Sequence, residues 1–458
     1  MKRKRTLIWL PIVAILFTLL AACASSAPQA QPTSAPAGGQ PAASQPAAAP
    51  AAQPSTAAAA AQPAAGGKVI KIYASWPMQG TMIPEGTAML NAAKMALDEV
   101  NSQVAGYTIQ LVFMDDASPT TGSWDGQVES NNAQKAIGDD QALIYFGTYN
   151  AGSAKISMPL TNQAGMAQIT PANSYPGLSK TGYAAGEPGI YRPTGKVNYF
   201  RTFGADDLQG SAGAAWAKCL GFKKVYILDD RQVYGKGLAD VFEKAAKQDG
   251  LDVVAHEGVE SVNIDFRALL TKVKASGADM VYAGILSDSG GPQIAQQMDS
   301  LGLFKAGVKF MSDDAMYSDA VPKAVSPEVL NGNLYVTFGS PSLDQLPTKT
   351  GQNFVKNYRA KYNGDPIGWS IYSYNAMLVM LDSIKRAAPQ IDAAKDVAGK
   401  RAAVLNAMAA TKDLEGVAGP ITFDANGDPT QALFSGFQFK DGKYVWQRNI
   451  SGDMQCQQ

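Results

Sequence analysis

The sequence predicts an α/β protein of two lobes, each built on a parallel β-sheet. Three observations point there. Short apolar segments alternate with amphipathic ones at helical spacing, the links between them are short, and the whole alternation stops and then starts a second time. Strand–helix–strand alternation with short links favours parallel strands covered by helices on both faces.

The first series opens at Lys68–Trp76 (KVIKIYASW), a strand. Thr87–Asn101 carries apolar residues at helical spacing and ends near Gly106. Tyr107–Met114 is the next strand, closed by Asp115-Asp116. A helix through Val128–Ile137, a strand at Ala142–Phe146, a helix from near Gly152 and a strand at Met166–Thr170 complete the series. An irregular stretch from Pro171 to Asn198, rich in Pro, Gly, Tyr and Ser, breaks the rhythm. After the strand-like Tyr199–Phe203, helices at Gly210–Cys219, Gly237–Asp249, Phe266–Ser276 and Pro292–Leu301 alternate with strands at Lys224–Leu228, Leu251–Glu257, Met280–Ala283 and Val308–Met311. Then come the strand Leu334–Phe338 and helices at Gly351–Tyr362, Ser370–Ala388 and Gly399–Thr411. The end reads as short strands with a hairpin turning at Asp441-Gly442.

The N-terminus is organised differently. Lys2, Arg3, Lys4 and Arg5 precede an apolar run from Leu7 to Leu20, an order of charge and short apolar core that marks a secretory signal peptide, here residues 1–22. The run is about 14 residues and contains Pro11, too short for a transmembrane span of roughly 20. Leu20-Ala21-Ala22-Cys23 resembles the bacterial lipobox, which implies that Cys23 is lipidated and anchors the chain outside the cytoplasm. Residues 23–67 are almost only Ala, Pro, Gln, Ser, Thr and Gly. Such a composition cannot bury enough surface to offset its ordering entropy, so a disordered tether is expected. Lys68 to Gln458 is long enough for two domains.

Lysine plus arginine balance aspartate plus glutamate at 39 each, and no basic patch with interleaved aromatics stands out, so nucleic acid is not an expected partner. The single histidine, His256, cannot form a His-rich zinc site, and an exposed strand-end residue is expected there. No Walker A loop, dinucleotide fingerprint or nucleophile elbow occurs. Asp424–Asp428 resembles a calcium loop but lacks its downstream glutamate, so a polar turn is expected. No cofactor or metal is implied. Doubled acids (Asp115-Asp116, Asp206-Asp207, Asp229-Asp230, Asp313-Asp314) stand at strand ends or helix starts, where capping is the default role. Of the three cysteines, Cys219 and Cys456 either pair, as secretion permits, or stay free. The chain reads as a binder more than a catalyst.

In open α/β sheets ligands bind beyond the carboxyl ends of the strands. Gly147–Ser153 is the most suggestive such segment, because it is small, polar and opens a helix whose free amides suit an anion. Trp76, Tyr149 and Tyr175 are either pocket wall or plain core.

Asp115-Asp116-Ala117, Ile169-Thr170-Pro171-Ala172-Asn173-Ser174, Asp207-Leu208-Gln209-Gly210, Tyr234-Gly235-Lys236-Gly237-Leu238 and Gly419-Pro420-Ile421-Thr422-Phe423-Asp424 together resemble the leucine/isoleucine/valine-binding family. These are the type I periplasmic binding proteins of branched-chain amino acid ABC importers. The resemblance implies two Rossmann-like lobes, 68–203 plus 339–418 and 204–338 plus 419–458, joined by three crossovers near Phe203, Phe338 and Ala418. It implies a ligand cleft between the lobes and an ABC permease and ATPase as partners. It also places Cys219 and Cys456 in one lobe.

Residue by residue, the resemblance carries over Ala172 and Ser174 for the ligand's α-amino and α-carboxylate groups, with Asn173 between them as a further candidate, Tyr234 as a cleft tyrosine, and Asp314 or its neighbour Asp313 for the ammonium. The departures are specific. The family's carboxylate-gripping serine aligns with Ala151, leaving Asn150, the amides around Gly152, or Ser153 to substitute. Tyrosines of the family align near Glu85 and Leu286. An acid at Glu85 either selects a cationic or hydroxyl-bearing ligand or is an exposed carboxylate on the rim. A transport receptor and a ligand sensor of the same fold both fit, as does a binder of an amide or urea.

Overall fold

The computed structural model describes residues 67–456 apart from 261–264 and 367. The signal peptide, Cys23 and the tether expected from the sequence lie outside the described residues.

The first sheet contains β1 (Lys68–Trp76), β2 (Gln103–Val104), β3 (Tyr107–Asp115), β4 (Ala142–Gly147), β5 (Ala167–Thr170) and β6 (Tyr199–Arg201) in the order β2-β3-β1-β4-β5-β6. Every pairing is parallel except β2 with β3. The interior strand β4, ALIYFG, is buried at every position, the continuous apolar run of a strand covered on both faces. The second sheet contains β7 (Lys224–Asp229), β8 (Asp252–Gly258), β9 (Met280–Gly284), β10 (Lys309–Ser312) and β11 (Leu334–Phe338). A small ladder of β12 (Leu414–Glu415) and β13 (Pro420–Ile421) precedes β14 (Phe434–Lys440) and β15 (Lys443–Ile450), which join the second sheet as antiparallel strands. Its order is β15-β14-β11-β10-β9-β7-β8. In both sheets the first strand of the series lies between the second and third. Strand order therefore reverses at β1/β4 and at β7/β9, the places where open α/β sheets leave a crevice.

The helices are α1 (Ile83–Glu99), α2 (Gly126–Ile137), α3 (Ala151–Gln163), α4 (Asp206–Cys219), α5 (Val233–Gln248), α6 (Arg267–Ser276), α7 (Gly291–Ser300), the short α8 (Val321–Ala324) and α9 (Pro327–Leu330), α10 (Lys349–Tyr362), α11 (Ser370–Ala393) and α12 (Val397–Ala409). None of the described helices is long and apolar enough to cross a membrane. Cys219, ending α4, is bonded to Cys456, which ties down the C-terminal tail beside the second sheet.

The chain first changes sheets after β6 and again after β11. Phe203 and Phe338, at these two passages, pack on Trp369 with ring centroids 4.8 and 5.5 Å away. Tyr372 joins them at 5.1 and 6.1 Å. The third passage comes later than the expected Ala418. Residues 419–430 still pack on the first lobe, where Gly427 accepts the Arg201 amide hydrogen at 3.1 Å. Gly427 has φ +88°, and a Cβ there would lie 2.0 Å from the Tyr199 carbonyl oxygen, so only glycine permits this approach. The neighbouring Asp428 pairs with Arg201 Nε at 2.8 Å. Arg201 is fully buried and also donates to the carbonyls of Asn173 and Tyr175, both at 3.2 Å, and to Ser179 Oγ. One guanidinium thus holds β6, the return segment and the loop after β5.

A buried charge left without its partner costs about 3–5 kcal/mol, whereas replacing both partners by apolar residues costs far less. Arg201→Met is therefore expected to lose about that much stability in urea unfolding, and the double variant Arg201→Met/Asp428→Leu clearly less. Equal losses in the two would show that the pair is not what holds the loop.

Candidate ligand-binding cleft

β4 ends at Gly147, and the chain turns through Thr148–Asn150 into α3. This turn is tied to the loop after β5. Thr170 Oγ1 donates to the Thr148 carbonyl at 2.7 Å while accepting the amides of Ala172 and Asn173 at 3.0 and 2.9 Å. Asn173 Nδ2 donates to the Tyr149 carbonyl, and Tyr199 donates to Asn173 Oδ1 at 3.1 Å. Two adjacent strand ends become one rigid platform. At its centre the first turn of α3 has no side-chain cap, and Asn150 Oδ1 and Ser174 Oγ are buried without a hydrogen bond. Uncapped amides and the positive end of the helix dipole face an anion favourably.

The second lobe presents Tyr234, Leu286 and Ala315 opposite. Together with Tyr149, Asn150, Ala151, Ala172, Asn173, Ser174 and Trp369 they line a pocket of about 280 Å³ that is partly open to solvent. The lobes are closed on each other. Ser123 Oγ donates to Asp288 Oδ2 at 2.8 Å, and Trp124 Nε1 to Gln232 Oε1 at 3.2 Å.

Several expected residues do other work. Trp76 is fully buried, donates to the Gly86 carbonyl at 3.1 Å and packs on Phe113 and Phe146; it is core. Ser153 is spent on Asp116, donating to Oδ2 at 2.7 Å. Gly152 faces Trp124, whose ring would lie 2.5 Å from a Cβ there. Tyr175 donates to Glu187 Oε2 at 2.9 Å and packs beneath Lys155. His256 is half-buried rather than exposed, held by Asp229 at 3.0 Å and Glu243 at 2.7 Å, and these hydrogen bonds raise its pKa against the effect of burial. Asp424 closes a turn by accepting the amides of Asn426 and Asp428 at 2.8 and 2.9 Å.

The doubled acids divide their labour. Asp313 Oδ1 accepts the Ala315 amide and Oδ2 the Ile285 amide, each at 3.0 Å, so it is a structural cap. Asp314 is different. Its Oδ1 accepts from Tyr234 and, at 3.0 Å, from Gln209 Nε2, while its Oδ2 is buried without a partner. Burial pushes its pKa up to about 6. Asp206, in the first turn of α4, is fully buried, and burial and the nearby Asp314 raise its pKa well above the carboxylate range although the Ser174 hydroxyl lies close enough to ease its ionisation. Glu85 is not on the rim. It is only 4% exposed, accepts the Trp369 amide at 2.8 Å, and is pushed by burial to about 8.

Trp369 in the lining and Asp206 behind Ser174 were not expected. The doubled acid at 206–207, next to a lobe crossing, was the available signal for Asp206. Nothing in the local pattern marks Trp369, which reaches the cleft only because α11 folds back between the two passages.

A family model described as periplasmic binding protein matches residues 69–443. An amino acid binding protein of Pseudomonas aeruginosa is 30% identical over 309 residues, 67% of this chain and 75% of that one. The Leu/Ile/Val-binding protein BraC3 of Rhizobium johnstonii is 27% identical over 375 residues, 81% of this chain and 91% of that one. The fold is that of a leucine binding protein, LivK, of Thermotoga maritima, with TM-score 0.71 at 23% identity over 83% of this chain and 98% of that one.

The raised carboxyls set a pH dependence. An unfolded aspartate releases its proton near 3.9, whereas folded Asp314 holds it to about 6 and Glu85 to about 8. The folded state binds more protons over that interval, so these groups stabilise it at low pH and that contribution is lost as pH rises through the folded values. Ligand-free protein should lose stability from these groups between pH 4 and 8, and Asp314→Asn should flatten the lower part of the profile in urea titrations. An unchanged profile in the variant would overturn this assignment.

Proposed function

Because the chain belongs to the periplasmic binding protein family, we propose that it is an extracytoplasmic solute-binding protein that captures an α-amino acid between its lobes and delivers it to an ABC importer. One observation carries the ligand class: the cleft offers opposite charges at fixed positions. The uncapped first turn of α3 with Ser174 Oγ suits an α-carboxylate. The open Oδ2 of Asp314, with Asp206 beside it, suits an α-ammonium. A zwitterion satisfies both, and each unsatisfied buried group otherwise costs free energy. Ala151 supplies no hydroxyl where the resemblance expects one, and the helix amides take that role. The relatives' names agree in ligand class.

The N-terminal pattern supports an anchored form, with Cys23 lipidated and residues 24–67 as tether. Two acyl chains hold a protein at a membrane where one is marginal. The closed lobes present the ligated surface to a permease within the tether's reach.

Two measurements check this. In a thermal-shift screen of α-amino acids, at least one should raise the melting temperature, and Asp314→Asn should weaken its binding at least tenfold, the scale of a lost charge-assisted hydrogen bond of about 1.5–3 kcal/mol. No response to any α-amino acid would end the proposal. Separately, Cys23→Ala should move the protein from the membrane fraction to the soluble extracytoplasmic fraction and abolish labelling by a fatty-acid analogue. A variant that stays membrane-bound and labelled would exclude anchoring through this cysteine.

A further inference from the structure

More buried acid stands around the cleft than an aliphatic amino acid can neutralise. The residues lining it include no lysine, arginine or acid; directly behind that lining Asp314 meets Tyr234, Asp206 meets Ser174 and Glu85 meets Trp369, and each acid has at least one buried carboxylate oxygen without a close donor. Asp314 and Asp206 stand at the end where the α-ammonium is assigned. Glu85 stands apart from them, at the Tyr149 and Trp369 end. Its Oε1 takes the Trp369 amide, and Trp369 and Tyr149 both line the cavity. Among nearby charges Glu85 acts most strongly on the Tyr149 phenol, whereas Asp313, Asp314 and Asp206 act on Tyr234.

Glu85 has little freedom to turn away. A Cβ at Gly368 would lie 2.0 Å from Oε1 and 2.7 Å from Oε2, so the carboxylate is wedged against that segment, with Oε1 taken by the Trp369 amide. The other, Oε2, makes no hydrogen bond, although the Ser318 hydroxyl lies close enough to ease its ionisation. A carboxylate wedged into an apolar aromatic wall, with one open oxygen and no cation, is costly unless a ligand supplies the partner. Helix capping does not explain it: the Glu85 side chain accepts no amide of α1, and the N-cap of that helix has no side-chain bond.

We propose that Glu85 is the specificity determinant of this cleft, selecting an α-amino acid whose side chain ends in N–H donors, foremost a basic one, over a plain aliphatic one. The inference rests on the α-amino acid reading of the cleft and deepens it. The ligand's α-groups sit between α3 and Asp314, its side chain runs along Tyr149 and Trp369, and its terminal nitrogen meets Oε2. An ammonium or guanidinium would return Glu85 to the ionised form and expel its proton. A neutral amide would bind the same oxygen without that full release. Specificity of this kind is steep, because an aliphatic side chain leaves the acid unpaired.

The test is isothermal titration of the full-length protein in detergent at pH 7.5, with lysine, ornithine and arginine, with glutamine and citrulline, and with leucine, isoleucine and valine. Two buffers of different ionisation enthalpy report the protons released. The expected result is that at least one N–H-bearing ligand binds tenfold or more tighter than leucine. Glu85→Gln, whose amide oxygen can still accept the Trp369 amide, should erase that preference. Proton release with the basic ligands, absent in Glu85→Gln, identifies a cation; preference without release identifies a neutral amide. An unchanged near-ultraviolet circular dichroism spectrum shows that the variant folds. If the branched-chain ligands bind as tightly as every N–H-bearing one, or if Glu85→Gln leaves the ratio unchanged, the inference fails while α-amino acid capture stands. If no α-amino acid binds, capture itself fails and this inference with it.

Discussion

A buried carboxylate with an open oxygen is expensive to keep away from water, and Glu85, Asp206 and Asp314 are among several of them in the described residues, grouped behind the walls of one cleft. Their neighbours are hydroxyls, amides and aromatic rings. Each answers the same constraint by holding its proton above the usual range. Such an arrangement persists in a folded protein only where something outside the chain completes it, so the groups that look least stable mark where the ligand belongs.

The scaffold supplies the rigidity that this arrangement needs. Both sheets reverse strand order at the cleft, which leaves loops rather than helices at the carboxyl ends of the central strands. The loops of the first lobe are then locked from behind. Thr170 ties the turn after β4 to the loop after β5, and Arg201 ties that loop to Asp428. The aromatic cluster of Phe203, Phe338, Trp369 and Tyr372 joins the two passages between sheets, so these passages and the wall of the cleft share Trp369, whose amide holds Glu85.

Legibility in the sequence followed the range of the interactions. Alternation of strands and helices is a local matter of periodicity, and the elements fall where it places them, down to the hairpin at Asp441-Gly442 between β14 and β15. The expected platform residues from Tyr149 to Ala151 and from Ala172 to Ser174 do line the cavity, as do Tyr234 and Leu286. Trp76, Glu85, Gly152, Ser153, Asp313 and Asp314 do not; Glu85 and Asp314 stand behind the lining residues Trp369 and Tyr234. A residue type says what a side chain can bond, while its neighbour across the fold decides what it does bond, and for Trp76, Gly152, Ser153 and Asp313 the neighbours are Gly86, Trp124, Asp116 and the amides of Ile285 and Ala315.

The doubled acids show where that division lies. Sequence alone determined that Asp206-Asp207 and Asp313-Asp314 stand at element boundaries and that Glu85 stands just ahead of a helix, because boundaries are written in local periodicity and turn chemistry. The same local patterns predicted two α/β lobes with ligand sites at strand ends, while the family and the cleft between the lobes were implied by the resemblance of the quoted motifs. Only the tertiary structure decided that Asp313 is capped while Asp314 is left open, that Asp206 is sealed beside it, and that Glu85 is buried against Trp369 instead of exposed on a rim. Burial and pairing are properties of segments far apart in the chain, here residues 85 and 369 brought to 2.8 Å, and no window of sequence contains both.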